Sequence, residues 1–298
     1  MMVRDVFPEG ADPFFLDGLI LQVRTGSRAY GLSIESSDED SRGVCVVPKR
    51  FLLGLDTFEQ QESEGNDHVI YALAKFARLA LQGNPNILEG LFTPDRHVLH
   101  RDELGDRLVA NRQRFLSRKA GERFGGYARG QFQRMERHRR WLVDPPPGPP
   151  DPAAFGATSE GGQIRFPHTG KRKAFDAEQA HWNHYATWRR ERNVDRAKIE
   201  AAHGYDTKHA VHLIRLLRMG EEVLTRGEVL VERPDAEELL EIRHGDWSYE
   251  RVLEEAKART AALPALVKSS PLPETADHGA VGQLVIELHA AGFARFGS

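Results

Sequence analysis

Cysteine is all but missing from this chain: Cys45, inside the apolar run GVCVVP, is its only one. A single thiol excludes an intramolecular disulfide and a cysteine-based zinc site, and it fits a reducing cytoplasm. Cys45 itself reads as a small core residue on a strand. The N-terminal stretch MMVRDVFPEGADPF lacks the basic-then-apolar order of a signal peptide. No apolar run approaches membrane-spanning length. The expectation is a soluble, cytoplasmic protein with no membrane partner. Excess charge of one sign is missing too: 41 Lys and Arg stand against 44 Asp and Glu, a net charge of −3 that names no partner. Internal repeats are absent.

A chain of 298 residues with 40% hydrophobic content can build a core and has room for two domains. Its charge is unevenly placed. Residues 118–198 hold 17 Lys and Arg against 9 Asp and Glu, chiefly in ERFGGYARGQFQRMERHRRW, GKRKAF and WRRERNVDRAK. Residues 221–255 lean acidic. A basic middle fits an anionic partner docking on one side, or a solvated helix face.

The first hundred or so residues read as a small mixed α/β layer of ordinary domain size. LDGLILQVRTG (16–26) has the apolar density of a buried strand ending at Gly26. DEDSRGVCVVP (38–48) reads as a second strand stopped by Pro48, and NDHVIYAL (66–73) as a third. LAKFARLALQGN (73–84) has helical spacing: Leu73, Phe76, Ala77, Ala80 and Leu81 share a face, and Gly83-Asn84-Pro85 stops it. From about residue 101 helical patterns dominate. Residues 144–170 are a Pro/Gly-rich loop in which GQIRF is an edge-strand candidate. The expected fold class is α+β, with a catalytic domain over 1–115 and a helical domain over 116–298.

Asp38 and Asp40 stand one residue apart. On a strand they share a face, and two close carboxylates repel unless a cation sits between them. Mg²⁺ suits that position because it takes carboxylate oxygens and shares the rest with phosphate. D-x-D alone equally describes a surface turn. Its context adds Gly26 and Ser27, a turn able to approach phosphate oxygens, and Asp67, which opens the next strand candidate. Three carboxylates with such a turn form a two-metal site for in-line displacement at phosphorus.

That arrangement resembles the DNA polymerase β superfamily of nucleotidyltransferases. GSRAYGL with SSDEDSRGV, DHVIYALAKFARLALQGNPNILEGLF, GYDTKHAVHLIRLLRMGEEVLTRGEV and IRHGDWSYERVL look more closely like the RlaP-type (YcgL-like) nucleotidyltransferases, a group linked to RNA repair. The resemblance implies a polymerase-β-like domain, two Mg²⁺ ions with Mn²⁺ as an alternative, and an NTP, ATP foremost. It puts Asp38, Asp40 and Asp67 in the carboxylate places, and Gly26 and Ser27 in the phosphate turn.

DTKHAVHLIRLLRMG is a largely apolar helix with Asp206 as its N-cap. Lys208, His212 and Arg215 fall within about 60° of one another on it. A cationic stripe on a buried helix must face a carboxylate or a bound anion. Either it pairs with an acid such as Glu221 or Glu222, or it grips the triphosphate opposite the metal; the family's similar K-x-x-x-H-x-x-R stretch favours the second. Arg28 and Arg42 flank the turn as phosphate contacts or surface residues. Tyr127, Gln131 and Arg134 follow helical spacing and read as packing with a polar edge, or as base contacts. The His181/His184 and His209/His212 pairs lack a third zinc ligand. The expected reaction moves a nucleoside monophosphate from an NTP to an acceptor hydroxyl. The basic middle favours an RNA end, such as a tRNA or cleaved RNA. A protein hydroxyl, a small molecule, and a non-catalytic nucleotide- or RNA-binding module stay open.

Overall fold

The computed structural model describes residues 14–35 and 37–296. Residues 1–13, where no signal pattern was expected, lie outside the described residues, as does Ser36 of the SSDED stretch. The chain divides after Gly130 and again after Ala210. The flanking segments form one compact unit, and residues 131–210 form a second.

The first unit begins with α1 (Phe14–Asp17), β1 (Leu19–Thr25), α2 (Gly26–Tyr30), β2 (Asp40–Cys45) and α3 (Lys49–Leu53). There follow β3 (Gln60–Glu62), β4 (His68–Ala72), α4 (Leu73–Leu81), α5 (Pro85–Phe92), β5 (Val98–Arg101), α6 (Glu103–Ala110) and α7 (Arg118–Val143), whose last turns enter the second unit. The strands form one mixed sheet in the order β3-β4-β2-β1-β5, with β2 and β4 parallel and the other pairs antiparallel. Strand β1 is buried along almost its whole length, as a central strand covered on both faces must be. Leu73, Phe76, Ala77 and Ala80 of α4 are buried, so the apolar face expected there is the packed one. Asn84 caps α5 by accepting from the Asn86 N–H.

Two strands carry no sequence signal. β3 (QQE) and β5 (VLHR) lack alternation and exist by pairing with β4 and β1.

The second unit contains the hairpin β6 (Thr158–Glu160) and β7 (Gln163–Arg165), then α8 (Thr169–Glu191) and α9 (Val194–His203). GQIRF does supply a strand, paired within the Pro/Gly-rich loop itself. The basic stretch WRRERNVDRAK is divided at Asn193, whose side chain accepts from the Asp195 and Arg196 N–H groups and starts α9. Trp141, Tyr185 and Trp188 cluster here, and Trp141 Nε1 donates to His181 Nε2 at 3.0 Å.

Helix α10 (Thr207–Arg226) begins in the second unit and runs into the first. Asp206 is its N-cap, accepting from the His209 N–H at 3.1 Å. After it come α11 (Ala236–His244), α12 (Tyr249–Ser269) and α13 (His278–Gly292), with α13 packed on α4 and α6. The architecture is α+β: a small N-terminal mixed sheet followed by helices, consistent with a polymerase-β-like domain. No described helix is long and apolar enough to cross a membrane.

Candidate active site

Strand β1 ends at Thr25, and Gly26 turns the chain with φ +70°. A side chain at Gly26 would also collide with the Asp40 carboxylate, so glycine is required by backbone angle and by proximity. The register sets Thr25 opposite Asp40, which brings the Gly26-Ser27 turn to the first residue of β2. On the other side of β2, Ser41 pairs with His68, and the Ser41 N–H donates to the Asp67 carbonyl at 2.9 Å. Arg42 Nη1 donates to that carbonyl and to the Ser41 carbonyl, both at 2.8 Å. Asp40 and Asp67 are thus held at the same end of two parallel strands.

Asp38 departs from the expectation. Strand β2 starts at Asp40, so Asp38 lies in the preceding loop and strand alternation does not govern it. Its side chain is exposed. Arg28 holds the loop: Nη2 donates to the Ser37 carbonyl at 3.0 Å and Nε to the Asp38 carbonyl at 3.3 Å. Arg28, expected as a phosphate contact or a surface residue, is engaged in placing the loop that carries Asp38.

The half-buried Asp40 carboxyl has its pKa raised above the usual value. Burial is the main cause, opposed by Arg42; the Asp67 and Asp38 charges add to the rise, and His68 opposes it. The charges of Asp67 and Asp38 are therefore both felt at Asp40. Thr25 Oγ1 is buried beside it with no hydrogen-bond partner among the described residues. As the side chains stand, no group of three or more His, Cys, Asp or Glu among the described residues converges closely enough to hold a metal ion. The chemistry of the donor set nevertheless fits a hard cation: carboxylate oxygens, uncompensated repulsion and an orphaned hydroxyl.

A support network went unread in the sequence. Gln22 Nε2 donates to Ser41 Oγ at 3.0 Å, and Ser41 Oγ lies 2.9 Å from His68 Nδ1. The three residues sit on neighbouring strands, so only the strand order reveals them.

The cationic stripe divides. Lys208 is exposed and makes no ion pair among the described residues, whereas Arg215 is only 1% exposed. Arg215 Nη1 donates to Glu89 Oε1 at 2.5 Å, its Nη2 lies 3.1 Å from His212 Nδ1, and its guanidinium stacks 3.8 Å from the centre of the Tyr30 ring. The Tyr30 hydroxyl donates to Glu89 Oε2 at 2.6 Å. Burial pushes the Tyr30 phenol pKa far up, with Arg215 opposing, so it stays a donor. The anion facing Arg215 is therefore Glu89, on α5. The acids considered for that pairing are taken elsewhere: Glu221 by Arg259 and Glu222 by Arg233. Tyr30 closes α2, the element that starts at Gly26, so this buried cluster anchors the turn.

Comparison with known proteins agrees with the motifs. Residues 14–145 match the RlaP family, described as an RNA repair pathway DNA polymerase beta family. A protein of Enterobacteria phage T4, described as an uncharacterized 38.9 kDa protein in the nrdC-mobD intergenic region, is 31% identical over 119 residues. That alignment covers 36% of this chain and 35% of the phage protein, so the chain spans about a third of the relative's length. No solved structure matches. The matched segment holds all three carboxylates.

Proposed function

From an RlaP-type segment over residues 14–145, we propose that this chain is a Mg²⁺-dependent nucleotidyltransferase. It moves a nucleoside monophosphate from an NTP, ATP foremost, to a hydroxyl at an RNA end. The new bond joins that oxygen to the α-phosphorus, and the bond to the departing pyrophosphate breaks. One observation carries the reading: Asp40 opens β2 and Asp67 immediately precedes the parallel strand β4, beside the Gly26 turn, with the charge of Asp38 felt at Asp40.

Asp38, Asp40 and Asp67 would hold the metal, which when bound neutralises phosphate charge and lowers the pKa of the attacking hydroxyl. Asp67 accepts the hydroxyl's proton. The first turn of α2 has no side-chain cap, so its N–H groups and the Ser27 hydroxyl are offered to phosphate oxygens. His212 contributes at the nucleotide. Arg215 acts at a distance, through Glu89 and Tyr30, by fixing α2.

The test is incubation with labelled ATP, Mg²⁺ and total RNA, beside Asp40→Asn and Asp67→Asn. Label on RNA that both variants lose supports the proposal. Label on protein indicates AMPylation, and label on a small molecule indicates a different acceptor. ATP binding without transfer indicates a non-catalytic module. No binding at all overturns the nucleotide reading.

A further inference from the structure

Helix α7 carries two adjacent glycines, Gly125 and Gly126, that do different work. Gly125 faces α12, where an added Cβ would lie 2.6 Å from Leu263 Cδ1, so its absence lets the two helices close up. Gly126 meets nothing within 4 Å of where a Cβ would stand. A mid-helix glycine costs up to about 1 kcal/mol relative to alanine, and packing gives Gly126 no compensation. What it does provide is space. It lines a cavity of about 670 Å³ between α7 and α12, within the size range of small-ligand sites.

The chemistry of that cavity is two-sided. From α7 come Lys119, Arg123 and Arg129, opposed by one acid, Glu122. Arg123 and Arg129 are exposed and have no carboxylate partner among the described residues. Lys119 reaches the exposed Glu274 only at 4.0 Å. From α12 come Leu263, Pro264 and Val267, an apolar wall. Pro264 has no N–H to give the Thr260 carbonyl one turn back, which leaves an acceptor on the same lining. Two guanidiniums suit a phosphate, the wall suits a flat base, and the acceptor suits a ribose hydroxyl or a base amino group.

We propose that this cavity is a second nucleotide site, separate from the carboxylates, which takes a nucleoside monophosphate unit. That unit has two sources, a free nucleotide or one residue of an RNA strand. The site stands whether or not the chain transfers nucleotides, because none of its residues belongs to the carboxylate cluster.

The test is fluorescence-anisotropy binding in low salt, using labelled AMP and a labelled twelve-nucleotide oligo(A) as separate probes. The background is full-length Asp40→Asn, so that metal-site binding and turnover do not contribute. Arg123→Gln with Arg129→Gln removes two charge-assisted contacts and should weaken binding at least about tenfold. Gly126→Phe fills the cavity and should do the same, whereas Gly126→Ala should bind as the parent does. Circular dichroism checks that each variant folds. Loss with both probes assigns the site to a nucleotide from either source. Loss with the oligonucleotide alone assigns it to an RNA strand, and loss with AMP alone to a free nucleotide. Unchanged affinity for both probes in the double variant and in Gly126→Phe overturns the proposal.

Discussion

At the scale of residues, the molecule contains a buried acid, Glu89, and a half-buried one, Asp40, with opposite solutions. Glu89 has its cation built in as Arg215. Removing one member of such a pair leaves the other charge buried without a partner, which typically costs about 3–5 kcal/mol. Arg215→Met should lower unfolding free energy by about that amount in urea titration, and a combined Arg215→Met/Glu89→Gln variant should recover part of it. Equal stability of Arg215→Met and the parent would show that Glu89 is satisfied by Tyr30 alone. Asp40 has no such built-in counterion of matching strength, and its pKa is raised. Its carboxyl binds a proton more tightly folded than unfolded, so stability falls as the pH rises through the folded-state pKa. Asp40→Asn should therefore melt higher than the parent at pH 7 without metal, with the two curves converging below about pH 4. Mg²⁺ should raise the parent's melting temperature and leave that of Asp40→Asn unchanged; a scan with and without the ion reads both.

At the scale of elements, the elements that form the site were written in apolar pattern. Strands β1, β2 and β4 and the buried face of α4 stand where runs of Val, Ile, Leu and Ala announced them. The short strands β3 and β5 had nothing to announce them, since their stability comes from a neighbour's unpaired backbone rather than from their own side chains. Asp38 shows the limit of a pattern argument: a strand boundary that moves by two residues takes a carboxylate off the sheet and leaves its placement to Arg28. The partner of Arg215 was equally out of reach, because Glu89 lies 126 positions away and nothing local marks it. The turn between β1 and α2 makes its own prediction. Gly26→Ala must carry a side chain at positive φ, roughly 1–2 kcal/mol of strain, and must also displace the Asp40 carboxylate. Nucleotide transfer should be lost while circular dichroism stays that of a folded protein; retained transfer would remove the turn from the site.

At the scale of the whole molecule, the segment that matches the family does not coincide with a structural unit: it runs past Gly130 and omits residues 211–298 of the first unit. Residues 14–145 carry the sheet and the carboxylates, but α10 supplies Arg215 and α13 packs on α4 and α6. A fragment of residues 14–145 would expose the apolar faces of α4 and α6 and strand Glu89. It should lack a cooperative thermal transition and should aggregate, in contrast to the full chain; a sharp melt of the fragment would show that the sheet is self-sufficient.

The pairing of Arg215 with Glu89 also sets an order of events during synthesis. On the ribosome the three aspartates emerge first, and the arginine that anchors their turn follows only after the whole of the 131–210 unit has been made. The nascent chain thus carries every acid of the proposed chemistry well before it can hold α2 in place. Emergence of α10, rather than translation of the motif, is the moment at which Arg215 can first hold that turn.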